Sequence, residues 1–244
     1  MTEIVAVTQA GMLADVERLR AVSQNLANVS TLGYKREVVV MRPFMDMVDA
    51  LSTPSAGLGT ANVVPTLSAT TDHSAGSLKF TANPLDICLE GDAYFIVRTE
   101  RGEALTRQGN FRLDNAGRLV NASGSPVLGT AGEIRLTSSN PRISEDGGVW
   151  EGSTQVASLR LARVTDPSQL ERIGGGLYAA TSAALALDAA SARVRQGYVE
   201  VANVVAMDEM IHMIETVRHF EASQRLLRGY DQMLDRAINT LAET

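Results

Sequence analysis

Three histidines, one cysteine and one glycine triplet are the residues of this chain with the most distinctive chemistry. His73, His212 and His219 are candidates for metal ligation or proton transfer, and Cys88 is a candidate nucleophile. His212 and His219 stand seven residues apart, nearly on one face of a helix. A helical metal site wants i,i+4 spacing and more ligands, so solvated positions near Asp208 and Glu215 explain them better. Cys88 lies in Leu85-Asp86-Ile87-Cys88-Leu89, where a small buried hydrophobe is expected. Gly174-Gly175-Gly176 lacks the Lys-Ser/Thr pair and following helix of a phosphate loop, and Leu177-Tyr178 follows instead. A turn is expected there. Carboxylates are plentiful, but none stands out as a glycosidase couple. The residues thus predict no catalytic group, no metal and no cofactor.

Composition narrows the classes further. The chain has 244 residues, 22 basic and 28 acidic side chains, and net charge −6. The negative charge argues against a general nucleic-acid binder. The 45% hydrophobic fraction suits a folded core, and the 5% aromatic fraction makes that core aliphatic. No apolar run approaches the ~20 residues needed to span a bilayer. A single cysteine excludes an internal disulfide, which suggests synthesis and folding in a reducing compartment. Met1-Thr2-Glu3-Ile4-Val5 has no basic stretch or cleavage site, so a cleaved signal peptide is not expected.

Any such residues must be carried by elements, and the two ends differ from the middle. Residues 4–28 read as a helix, with Met12, Val16, Leu19 and Leu26 as an apolar stripe and Asp15, Glu17, Arg18 and Arg20 among the polar positions. Residues 203–241 read as a longer helix, with a stripe through Met213, Val217, Phe220, Leu227 and Leu234 and a further methionine at Met210. Thirty-nine helical residues span about 58 Å, more than a core of this size can cover. The two helices are expected to cover one another in part, and neighbouring subunits the remainder.

The middle reads as β. Tyr94 to Thr99 and Ala104 to Leu113 read as strands, and Asp114-Asn115-Ala116-Gly117 is a turn. Residues 52–77 are rich in Ser, Thr, Ala, Gly and Pro and read as linker or loop. The expected fold class is α+β: long N- and C-terminal helices in a coiled-coil-like domain, with a central all-β barrel or sandwich. The expected segments are 1–35 (first helix), 36–77 (linker or long loop), 78–190 (β-domain) and 198–244 (last helix).

One segment is specific beyond composition. Ser23-Gln24-Asn25-Leu26-Ala27-Asn28-Val29-Ser30-Thr31-Leu32-Gly33-Tyr34-Lys35 resembles the N-terminal signature of bacterial flagellar axial proteins. Asn83 to Val97, followed by Leu105-Thr106-Arg107-Gln108-Gly109-Asn110-Phe111, is similar to the central β-domain of the FlgF/FlgG hook–rod family. Val201-Ala202-Asn203-Val204, Glu209-Met210, Met213-Ile214-Glu215, Arg218 and Phe220-Glu221 are similar to its C-terminal helix. The short 36–77 segment, Asp166-Pro167 and Leu177-Tyr178 look more like the proximal-rod type than the distal-rod alternative. Ala93 and Ala202 depart from the family's frequent Gly and Ser, and Asn203 is then a candidate cap for the last helix.

The resemblance implies a structural subunit of the flagellar basal-body rod, polymerising into the hollow shaft required for motility. It implies type III export without a cleaved signal peptide, and residence in the basal body across the periplasm. Its partners would be neighbouring copies, other rod subunits and the export apparatus, with no nucleic acid, membrane span or small-molecule substrate. The expected subunit-contact residues are Met12, Val16, Leu19, Asn25, Leu26, Asn28, Met210, Met213, Val217, Phe220, Leu227 and Leu234. The rival readings are a rod-associated wall hydrolase, which needs a convergent polar site, and a long-helix chaperone or adaptor.

Overall fold

A computed structural model describes residues 2–41, 67–179, 184–187 and 192–242. Of the expected 36–77 linker, residues 42–66 therefore lie outside the described residues. The chain divides into two compact units. One comprises residues 1–27, 37–71 and 205–244, and the other 28–36 and 72–204.

The helical unit holds two helices. Helix α1 runs Thr2–Ala27 and α2 runs Ala206–Ala242, so they are about 39 Å and 55 Å long at 1.5 Å per residue. They pack antiparallel: Asn25 near the end of α1 meets Glu209 near the start of α2, and Asp15 meets His219. The unit also contains an antiparallel ladder of Glu37–Met41 with Leu67–Thr71. Asn25 fixes that ladder to the helix, since its Oδ1 accepts from Glu37 N at 2.8 Å and its Nδ2 donates to Glu37 O at 2.9 Å.

The β unit is built on a six-stranded sheet ordered 172–174, 177–179, 102–106, 93–99, 161–164 and 184–187. Every pairing in it is antiparallel. Ala93–Thr99 is central, and its alternation serves two cores. Phe95 and Val97 pack with Ile87, Phe111, Leu119, Val127, Leu159 and Leu161. Tyr94 and Ile96 pack with Leu105, Leu128, Ala162, Val164, Leu170 and Tyr178. A strand covered on both faces is a near-continuous apolar run, as Ala93-Tyr94-Phe95-Ile96-Val97 is. Shorter ladders of two and three strands complete the unit. The 114–117 turn forms as expected, with Asp114 Oδ1 accepting from Ala116 N and Arg118 N at 2.8 Å and Gly117 at φ 72°. Gly174, Gly175 and Gly176 all have positive φ and turn the chain between two strands.

The expected fold class is corrected on both counts. The helices make one antiparallel pair and not a coiled-coil-like domain. The buried residues of α1 are Ala14, Asp15, Ala21, Val22 and Asn25, which are small or polar. The Met12–Val16–Leu19–Leu26 stripe lies at the margin of that face: Met12, Leu19 and Leu26 are half-buried and Val16 is 47% exposed. Small residues bring the helix backbones together without the large interlocking knobs of a heptad seam. In the β unit no closed barrel forms among the described residues, because the end strands 172–174 and 184–187 of the main sheet each pair on one side only. Asn203 does not cap α2, which begins three residues later at Ala206. Its side chain is committed elsewhere, as described below.

Phe95 is fully buried against the edge of Phe111, with ring centroids 5.0 Å apart. Phe95→Ala should destabilise the β unit by about 3–5 kcal/mol. Chemical denaturation of the full chain checks this, and a loss under about 1 kcal/mol would remove Phe95 from the centre of the core.

Candidate assembly surfaces and the buried anchor of the signature loop

Residues 28–36, which follow α1 in sequence, fold as part of the β unit. Asn28 starts the turn: its carbonyl accepts from Thr31 N at 2.9 Å and its side chain from Thr31 Oγ1 at 3.2 Å. Gly33 then adopts φ 65° and donates its N–H to Glu200 O at 2.8 Å. A Cβ at Gly33 would meet backbone atoms of Arg107 and Gln108 at 2.7–2.8 Å, so only glycine fits. Tyr34 is buried beneath the Arg172 guanidinium, 4.9 Å from its ring centroid, and Arg172 also donates to Lys35 O.

Lys35 and Glu200 are the centre of this arrangement, with side chains 1% and 3% exposed. Lys35 Nζ donates to Glu200 Oε1 and to Ser74 O, each at 2.6 Å. The same Oε1 accepts from Gly76 N at 2.9 Å. Glu200 Oε2 accepts from Arg107 Nε at 2.9 Å, and Arg107 Nη1 donates to the carbonyls of Gly91 and Ala93. One carboxylate thus sits between two cations with its oxygens satisfied. Burial pushes the Lys35 ammonium below its ordinary pKa, with Glu200 pulling the other way. Asn203 ties the same region together: its Oδ1 accepts from Arg36 N at 2.6 Å, and its Nδ2 donates to Asp72 O at 2.9 Å and Ser74 Oγ at 3.0 Å.

Of the candidate catalytic groups, Cys88 and His73 are packing groups, while His212 and His219 are exposed on α2. Cys88 is buried in strand Ile87–Glu90, and burial pushes its thiol pKa up, away from thiolate. His73 lies among Tyr94 and Tyr178, with Nδ1 2.9 Å from Tyr94 OH. Burial, reinforced by the Lys35 and Arg172 charges, lowers its pKa to about 4. Burial also pushes the Tyr94 hydroxyl up to about 12, so a protonated phenol and a neutral imidazole share this hydrogen bond. His212 is exposed, 3.7 Å from Glu215 on its own helix. No group of three or more His, Cys, Asp or Glu side chains that could hold a metal occurs among the described residues.

The expected contact residues separate into three sets. Asn25 is buried between α1, α2 and Glu37. Met12, Leu19, Leu26, Met213, Phe220 and Leu227 are half-buried within the helical unit, and Asn28 is half-buried in the β unit. Val16, Met210, Val217 and Leu234 are exposed. Sequence reasoning named only Met210 and Val217 of a larger exposed apolar surface. Met207, Met210, Ile211, Ile214 and Val217 are all exposed on the first turns of α2, at spacings that share one side of the helix. It also missed Glu200, Arg107, Asp15 and Glu209 as buried charges. Glu200 carried one signal, a single acid in the strand Tyr198-Val199-Glu200.

An exposed apolar helix side of this kind is the mark of a protein that associates with others. The comparisons with known proteins specify which. Residues 88–150 match the family model described as flagellar hook protein FlgE/F/G D1 domain, and residues 195–240 match that described as flagellar basal body rod FlgEFG protein C-terminal. The chain is 32% identical to the flagellar basal-body rod protein FlgF of Mesorhizobium japonicum, covering 99% of this chain and 98% of that one. It is 31% identical to the basal-body rod protein FlgG of Bacillus subtilis (94% and 95% covered) and 30% identical to FlgF of Salmonella typhimurium (90% and 90%). The chain belongs to the FlgF/FlgG family of flagellar basal-body rod proteins. No described helix is long and apolar enough to cross a membrane.

Glu200→Gln leaves Lys35 and Arg107 buried without their shared counter-charge and should cost about 3–5 kcal/mol. Urea titration of the full chain measures it, and a loss below about 1 kcal/mol would show the anchor to be dispensable. His73 gives a pH dependence of known sign. Its folded pKa of about 4 lies below the ordinary 6.5, so the unfolded chain binds more protons between these values. This contribution is present in full above pH 6.5 and is lost as pH falls towards 4. His73→Asn should flatten the stability profile across that window, and an unchanged slope would refute the assignment.

Proposed function

We propose that this chain is a non-enzymatic structural subunit of the bacterial flagellar basal-body rod. It polymerises with neighbouring copies and other rod subunits into the hollow shaft required for motility. The observation that carries the reading is the exposed apolar side of α2, in a chain whose relatives along nearly its whole length are basal-body rod proteins. Burying such a side against a different patch of the next subunit gives a heterologous contact, and a heterologous contact that does not close builds a filament. Met210 and Val217 belong to that side, as do Met207, Ile211 and Ile214. Export by the flagellar type III route without a cleaved signal peptide follows from the same reading. The proximal-rod type is favoured by the fit to the Mesorhizobium FlgF, 245 aligned positions against 254 for the Bacillus FlgG, which indicates fewer insertions.

Ile211 and Ile214 are 48% and 52% exposed, so aspartate at either position should change stability by no more than about 0.5 kcal/mol. Each variant should nevertheless stop rod completion and swimming. Soft-agar motility and imaging of purified basal bodies test this, alongside a melting curve of the isolated chain. Wild-type swimming by an Ile211→Asp, Ile214→Asp strain would remove α2's open side from assembly.

A further inference from the structure

Two polar pairs cross from α1 to α2, and both obey one stagger. Asn25 Nδ2 donates to Glu209 Oε2 at 3.2 Å, with both side chains buried. Asp15 is completely buried, and its Oδ2 lies 2.5 Å from His219 Nδ1. Arg18 Nη1 lies 3.4 Å from the other Asp15 oxygen. Asn25 and Asp15 are ten residues apart on α1, and Glu209 and His219 are ten apart on α2 in the opposite sense. Ten residues rise about 15 Å, so a single antiparallel register satisfies both pairs, and a slide of one turn, about 5.4 Å, breaks both together.

The apolar part of the contact lacks this discrimination. On α1 the buried apolar side chains are Ala14, Ala21 and Val22, small groups flanked by half-buried Met12, Leu19 and Leu26, and Ala14 and Ala21 are seven residues apart. On α2 half-buried Met213, Phe220 and Leu227 are also spaced by seven, so a slide of two turns brings like onto like, and methionine adapts. A buried carboxylate or amide that loses its partner bears its full desolvation penalty.

We propose that Asp15–His219 and Asn25–Glu209 are positioning pairs that hold α1 and α2 in one register. The register has a consequence for the surface of the helical unit. With Asp15 opposite His219, Thr2 stands opposite Gln232, and residues 233–242 of α2 continue past the start of α1. The pairs therefore fix which turns of α2 are covered by α1 and which remain open. Both pairs lie within the helical unit and set its register whether or not the chain is a rod subunit.

Cross-link mapping with a short bismaleimide tests it in the full chain with Cys88→Ala. Position 11 is level with 223 in this register and a Cβ there meets open space, so Gly11→Cys and Ser223→Cys can be bridged by a spacer, whereas Tyr230→Cys is two turns away. In the parent, 11 should link to 223 at least about tenfold faster than 11 to 230, which lies about 10.5 Å further along the helix. In Asp15→Leu, Glu209→Leu the two rates should converge, while Glu209→Gln, which keeps an acceptor for Asn25, should retain the preference. Circular dichroism reports whether the helices persist. If the double variant loses helix, His219→Ala decides, since that residue is exposed and its truncation leaves no cavity; the preference should fall at least about threefold. Equal rates in the parent, or an undiminished preference in the helical double variant or in His219→Ala, would overturn the proposal.

Discussion

The Glu200 carboxylate, buried between Lys35 and Arg107, is the interaction on which the β unit's treatment of the signature loop depends. Removing three charges from water costs several kcal/mol each unless every polar atom is matched. Here the matching atoms come from five separate segments: Lys35, the stretch 74–76, the Gly91 and Ala93 carbonyls, Arg107, and Glu200 itself. None of these segments can leave without stranding a charge. Gly33 and Gly76 owe their identity to the same closeness, because a Cβ on either would strike backbone, at Arg107 and at Val201 respectively. The signature residues Gly33, Tyr34 and Lys35 are thus a docking device read by the β unit.

The helical unit works by the opposite balance. Its contact face on α1 is formed of alanines, one valine and two polar side chains, while larger apolar groups on α2 face outward. A monomer that hid its methionines and isoleucines would gain stability and lose an adhesive side. Specific polar contacts cross the pair, while Met207, Met210, Ile211 and Ile214 remain exposed. Exposed apolar area of this kind is a marker of interaction surface.

Chemistry that looked available from residue types is used for packing. Cys88 fills a strand, His73 is held neutral among tyrosines, and the His219 ring contacts the carboxyl of buried Asp15. In each case the pKa cause or geometry is that of burial and pairing, not of a cleft that gathers several reactive groups around a ligand.

The sequence by itself determined the local structure. Helical spacing of apolar residues located both terminal helices to within a few residues, since a 3.6-residue period is written in the chain. The apolar run at 93–97 and the Asp-Asn-Ala-Gly turn at 114–117 were legible for the same reason: backbone preference and turn chemistry act over a few neighbours. The flagellar resemblance was legible in the signature at 23–35. Tertiary structure alone decided which face of each helix is covered. Asp15 reads as a solvated polar position and Val16 as a seam residue, yet Asp15 is fully buried and Val16 is exposed. A helix's apolar stripe states what can be buried, but its partner's side-chain size and polar complement choose the contact face. The partners of Lys35, Arg107 and Asp15 are 165, 93 and 204 residues distant in sequence. No local pattern encodes a meeting over such a span, because it exists only once the intervening chain has folded and water has been excluded.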